Sequence, residues 1–130
     1  MQYYIASKLE NHAQVNALRD QLMKLGHTQT YDWTHHGPVF ASGLHRVREV
    51  SVMESNGVRQ ADFVVVLWPG GRGTHVEMGM ALGLGKTVVF ISEDERHHEA
   101  TTETCAFYHH PLVRRYRSVE EAMPFFRAVA

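Results

Sequence analysis

The sequence predicts an α/β fold: a single doubly wound parallel sheet of about five strands with helices on both faces. Three observations predict it. Short apolar runs alternate with helix-period segments along the chain. The run Phe63-Val64-Val65-Val66-Leu67 is apolar at every position, as suits a parallel strand covered on both sides. Its end passes through Pro69-Gly70-Gly71-Arg72-Gly73 straight into a helical pattern, the strand-to-helix step of a βαβ unit.

Residues 3–6 form a first strand. Val15, Leu18, Leu22 and Leu25 then make a helical stripe that Gly26 closes. Residues 27–33 read as a weaker second strand. Residues 34–43, with His35-His36 and Gly37-Pro38, read as a loop, and Val47, Val50, Met53 or Glu54, and Val58 mark a second helix. The third strand follows at once. A third helix over 74–85, a fourth strand over 87–91 and a short fifth strand over 113–116 lead to a last helix, with Ser118 as N-cap and Glu121 at its third position.

At 130 residues the chain is expected to form one domain over 1–130. A formal net charge of -1 argues against a general nucleic-acid surface, so a bound phosphate would belong to a small molecule. One cysteine, Cys105, excludes an internal disulfide. The N-terminus lacks a signal-peptide pattern and no apolar run reaches membrane-spanning length, so a cytoplasmic location without membrane contact is expected. The ten histidines suggest no metal site: His35-His36, His97-His98 and His109-His110 are adjacent pairs in loops, without HExxH or Cys/His spacing. No cofactor is expected.

In a sheet of order 2-1-3-4-5, a flavodoxin-like, Rossmann-like arrangement, small molecules bind beyond the carboxyl ends of strands one and three. Tyr4, Ser7 and Lys8 are therefore expected to face Arg72, Thr74 and Glu77 across a cleft. Gly70, Gly71 and Gly73 allow a close backbone approach, and a helix N-terminus attracts anions. The long connection over 92–112, carrying Phe107, Tyr108, His109 and His110, is expected to act as a lid.

Tyr4-Ile5-Ala6-Ser7, Ala61-Asp62-Phe63-Val64-Val65, Gly73-Thr74-His75-Val76-Glu77-Met78-Gly79-Met80-Ala81 and Gly85-Lys86-Thr87 together resemble the nucleoside 2-deoxyribosyltransferase family, which includes deoxynucleoside 5′-monophosphate N-glycosidases. The resemblance runs to about Ile91. The segment from Pro69 to Glu77 also resembles the PGGxGTxxE motif of nucleoside 5′-monophosphate phosphoribohydrolases, which are longer and carry an earlier glycine-rich loop that this chain lacks. Both resemblances imply cleavage of an N-glycosidic bond.

The first resemblance implies that Glu77 is the nucleophile that attacks the anomeric carbon, with Tyr4 beside it and Asp62 and Gly73 at matching positions. It also implies a homodimer or higher oligomer, because related enzymes complete the site across a subunit contact. Two positions depart from the pattern. Gly71 stands where the deoxyribosyltransferases place an aspartate and the monophosphate glycosidases a serine, and a family aspartate before the third strand appears as Glu54. The missing aspartate weakens the case for base exchange, and Arg72 adds a cation suited to phosphate.

The chemistry is consistent with this. Breaking the bond develops positive charge at C1′, which a carboxylate below the sugar stabilises or traps. The leaving base needs a proton, from Asp62 or a lid histidine. Plainer readings stand alongside: Thr74-x-x-Glu77 also fits a capping box, Tyr4 also fits a core strand position, and Asp62 also fits a strand opening. The expected activity is cleavage of a nucleoside or nucleoside 5′-monophosphate, with a nucleotide-binding sensor module or NAD glycohydrolysis as alternatives.

Overall fold

The computed structural model describes residues 1–130. Its five strands are β1 (Gln2–Ala6), β2 (Thr28–Gln29), β3 (Phe63–Leu67), β4 (Thr87–Ile91) and β5 (Val113–Tyr116), all parallel and in the order β2-β1-β3-β4-β5. Helices α1 (His12–Lys24), α2 (Leu44–Gln60), α3 (Arg72–Gly83) and α4 (Val119–Ala128) connect and flank them. The fold is the predicted one.

The period-2 alternation of a strand decides what each residue of the centre touches. Tyr3 pairs in register with Phe63, and its ring stacks on that phenylalanine, next to Phe126 of α4. Tyr4 points to the opposite face, where α2 and α3 pack together. A methyl group at Gly57 of α2 would lie 2.9 Å from the Tyr4 ring, so only glycine lets the ring seat against that helix. Every residue of β3 is buried, in keeping with its unbroken apolar run.

Local polar contacts end and join these elements. At the close of α2, the Lys86 ammonium donates to the carbonyls of Arg59 and Ala61, satisfying groups at the helix end and giving the Gly85-Lys86-Thr87 turn a structural use. At the start of α4, the Ser118 hydroxyl accepts from the Glu121 N–H at 3.1 Å, as the sequence predicts.

The second strand is much shorter than expected. After Gln29 the Thr30 hydroxyl donates to the Gly57 carbonyl, and Asp32, held by Arg19 at 2.9 Å, accepts from the Thr34 N–H. These contacts turn the chain out of the sheet into a 3-10 turn at Trp33–His35. The result carries Trp33 over the carboxyl end of β1, where its indole N–H donates to the Ile5 carbonyl at 2.7 Å.

The segment over 92–112 is not a lid. Tyr108, His97 and His98 are buried, with Tyr108 stacked on Phe90 at 4.2 Å between centroids and His97 against Trp68 at 4.5 Å. His75 joins this layer to α3, its ring bonding the Gly71 carbonyl at 2.7 Å and the Tyr108 hydroxyl at 2.8 Å. The segment covers the sheet and the outer side of α3 and does not line the cavity beside β1 and β3, and His97 and His98 belong to its packing. No helix is long and apolar enough to cross a membrane.

Candidate active site

The loops after β1 and β3 are fastened together at the point where the strand order reverses. The Lys8 N–H donates to the Pro69 carbonyl at 3.0 Å, and the Ser7 hydroxyl donates to the Leu67 carbonyl at 2.6 Å while accepting from Asn11 at 3.0 Å. Ser7 therefore spends its hydroxyl as a strut. Beside these loops lies a cavity of about 400 Å³ whose walls include Lys8, Trp33, Glu54, Gly71, Thr74 and Glu77.

Thr74 resolves the capping question. With Gly71 as the residue before α3, it is the Thr74 hydroxyl that accepts from the Gly71 N–H, at 3.0 Å. Glu77 lies a turn further on and is free of the cap. Its carboxylate instead points under the sheet end, 7% exposed, and Oε2 accepts the hydroxyl of Tyr4.

Glu54 of α2 completes the cluster. Burial and the neighbouring Glu54 carboxyl push Glu77 up to about 8, with the Tyr4 hydroxyl acting in the other direction. Burial also raises Glu54, with the neighbouring Glu77 carboxyl acting in the other direction. Two carboxyl groups this close in a dry place cannot both ionise cheaply, so the pair retains a proton near neutrality. Tyr4 is raised well above its ordinary value by burial and by Glu77, and so remains a hydrogen-bond donor.

The cavity has a cationic side as well. The Lys8 stem passes Gly71, where an added Cβ would sit 3.4 Å from its Cε, so the ammonium stands by the opening of α3. Gly71, Gly73 and Thr74 form that opening. Gly70 lies behind it, and a Cβ there would meet the Thr74 methyl at 2.8 Å. This arrangement can hold an anion at the helix start and a sugar near the carboxylates.

Several expected site residues fall elsewhere. Asp62 stands at the amino end of β3, the far end of the sheet, where its carboxylate accepts from the Gln2 N–H at 2.7 Å. It opens a strand and is too remote to protonate a leaving base in this cavity. Arg72 is exposed and does not line the cavity, which leaves Lys8 as the cation there. In the reverse direction, Trp33 and the segment over 36–40 line the cavity without having been foreseen. Glu54 carried a signal: it occupies the helical stripe of Val50 and Val58, where a carboxylate on a buried face is anomalous. No group of three or more His, Cys, Asp or Glu side chains is arranged to hold a metal ion.

Comparison with known proteins adds to this geometry. No curated protein matches the sequence. Among solved structures, the chain is similar to the Clostridium botulinum CMP N-glycosidase BcmB, with a TM-score of 0.66 at 15% identity over 100% of both chains. At that identity the likeness speaks for the fold. The model of the nucleoside 2-deoxyribosyltransferase family matches residues 3–112, which span β1 to the end of the long connection and include Tyr4, Glu54 and Glu77. The chain belongs to the nucleoside 2-deoxyribosyltransferase family.

Proposed function

We propose that the protein cleaves the N-glycosidic bond of a nucleoside 5′-monophosphate, with Glu77 as nucleophile and water as the usual acceptor. The observation that carries this reading is the buried Glu77 carboxylate at the wall of the cavity, held by Tyr4 and raised by burial and by the neighbouring Glu54 carboxyl. Family membership supports N-glycosidic cleavage or transfer, and Lys8 beside the opening of α3 favours a phosphorylated substrate.

The carboxyl pair supplies both things the reaction needs. As the bond from C1′ to the base nitrogen lengthens, its electron pair goes to the base and positive charge grows on the sugar. That charge favours the anion on Glu77, which bonds to C1′ while the shared proton, left on Glu54, passes to the departing base. Water then attacks C1′, its proton returns to Glu54, and Glu77 leaves as the carboxylate. One proton on two carboxyl groups thus serves as acid and as base in turn.

The test is release of free base from a panel of nucleosides and their 5′-monophosphates, followed over time for the parent and for Glu77→Gln. Release from monophosphates that disappears in the variant supports the proposal. Binding of nucleotides without any release assigns the chain to sensing, and release of nicotinamide from NAD in preference to every monophosphate assigns it to NAD glycohydrolysis.

A further inference from the structure

Phe40 lines the cavity that holds Glu77 and Glu54, yet its ring is 82% exposed. It rides on a short 3-10 turn, Phe40–Ser42, within a segment that runs from the Trp33 turn to the start of α2. Glycines in the left-handed region bound this segment, Gly37 at φ +59 and Gly43 at φ +86, and nothing lies within 4 Å of where either would carry a Cβ. At its near end His36 bonds the Gly37 carbonyl through Nδ1 at 2.8 Å. At its far end the Gly43 carbonyl accepts from the Val47 N–H at 3.2 Å, the first bond of α2. The far end is held by α2, and the ring between the two glycines is exposed.

The substrate class proposed above has three parts, and two already have partners in the cavity. The phosphate has Lys8 and the opening of α3; the sugar has Glu77 and Glu54. The base is flat and apolar on its two faces, which the carboxyl groups at the glycosidic bond do not cover, while Phe40 is a flat apolar ring lining the cavity and largely exposed. We propose that Phe40 stacks on the nucleobase of the bound substrate, carried over it by the segment between Gly37 and Gly43. Trp33, 6% exposed and anchored to the Ile5 carbonyl, and Val50 add apolar surface to the same cavity. Stacking on a phenyl face is open to every base, so Phe40 supplies affinity for the base without choosing among bases.

This inference rests on the N-glycosidase reading, and its test separates the two. Binding of the 5′-monophosphates of adenosine, guanosine, cytidine and uridine, of their deoxy forms, and of ribose 5-phosphate is measured in the Glu77→Gln background, where turnover is blocked, with Phe40 intact, with Phe40→Ala and with Phe40→Trp. Phe40→Ala is expected to weaken each nucleotide that binds by about tenfold and to leave ribose 5-phosphate unchanged. Phe40→Trp is expected to retain the affinity and to gain a fluorescence change with nucleotides that ribose 5-phosphate does not produce. Equal weakening of ribose 5-phosphate and nucleotides, or no weakening of either, overturns the stacking role. A smaller particle mass for Phe40→Ala by light scattering, with both kinds of ligand lost, overturns it too and assigns the ring, with the 80% exposed Leu44, to a contact between copies of the chain. If no nucleotide binds with Phe40 intact, the N-glycosidase reading fails and the stacking role falls with it.

Discussion

The Tyr4 hydroxyl donates its hydrogen bond to Oε2 of Glu77 across 73 residues of sequence, joining strand β1 to helix α3 beneath the cavity. The bond fixes one oxygen of the carboxylate and lowers the cost of ionising it, while Glu54 on the adjacent helix raises that cost. Glu77 is thus poised between two neighbours of opposite effect, and the first three predictions follow from that balance.

Replacement of Glu77 by glutamine separates chemistry from folding. The amide is nearly isosteric and can still accept from Tyr4, but it neither bonds to C1′ nor balances its charge. Base release is expected to fall by about 10³-fold or more. The melting temperature is expected to hold or rise at pH 8. Release within about tenfold of the parent on the parent's best substrate removes Glu77 from the reaction.

The pair also sets a pH dependence of stability. Glu77 is raised on folding from 4.5 to about 8, so the folded state binds its proton more tightly than the unfolded chain does. The associated stability is fully present below about pH 4.5 and is lost as pH rises through about 8. The expected result is a parent melting temperature that declines across this window relative to that of Glu77→Gln, with the difference levelling off above it. Parallel curves for the two proteins would mean that Glu77 ionises as freely as in the unfolded chain.

Gly57 tests how Tyr4 is positioned. An alanine there gains up to about 1 kcal/mol of helix propensity, but its methyl group lies 2.9 Å from the Tyr4 ring and from Tyr31 Cβ, and overpacking of this kind costs about 1–3 kcal/mol. The crowding outweighs the propensity. Gly57→Ala is expected to lower the melting temperature and to reduce base release beyond what the lost stability explains, because the displaced ring takes its hydroxyl from Glu77. A higher melting temperature with full activity would sink this account of the glycine.

How far the site was legible in the sequence follows from the range of the forces involved. The unbroken apolar run of β3, the glycine loop and Glu77 are local patterns, and all three stand where the sequence puts them. Tyr4 was readable as a strand residue, and its place beside Glu77 came from the topology and the family resemblance rather than from any local pattern, because the two lie on different elements. Asp62 misleads for a related reason: strand membership is visible in the sequence, but the distance between the two ends of the sheet becomes decisive only once the cavity is located. The shortened β2 depends on Thr30 reaching Gly57 and on Asp32 meeting Arg19, long-range contacts without a sequence period. The same detour brings Trp33 and the Phe40 segment to the cavity, the place the sequence reading gave to residues 92–112. Of those residues, Tyr108 and His97 are core, packed on Phe90 and Trp68, while Phe107 stays exposed away from the cavity.

The cation at the phosphate end is the next point of test. Lys8 lines the cavity and Arg72 does not, although both flank the glycine loop in sequence or space. Charge-assisted hydrogen bonds contribute about 1.5–3 kcal/mol, so the parent is expected to bind a 5′-monophosphate about tenfold or more better than its nucleoside. Lys8→Ala is expected to erase most of that preference and Arg72→Ala to leave most of it, in titrations at low and moderate salt. The opposite order would return the phosphate to Arg72.

The proposed preference for water as acceptor is tested at Gly71. The residue is extended, with φ -130 and ψ -156, so other side chains fit its backbone, and a Cβ there would project toward the Lys8 stem at 3.4 Å. The deoxyribosyltransferases that the chain resembles place an aspartate here, which offers hydrogen bonds to a free base; with glycine, an incoming base has no such hold and water is the better-placed acceptor. Hydrolysis is therefore expected to dominate when a deoxynucleotide is incubated with an excess of a different free base. Gly71→Asp is expected to bring a carboxylate against the Lys8 ammonium, pairing the charge that would otherwise meet phosphate. The variant should lose affinity for monophosphates by about tenfold, shift toward unphosphorylated nucleosides and give a larger share of exchanged product. Chromatographic separation of free sugar from exchanged nucleoside or nucleotide measures that share directly. An exchanged nucleotide as the parent's main product would overturn the role given to Gly71, as would an unchanged product ratio and phosphate preference in Gly71→Asp.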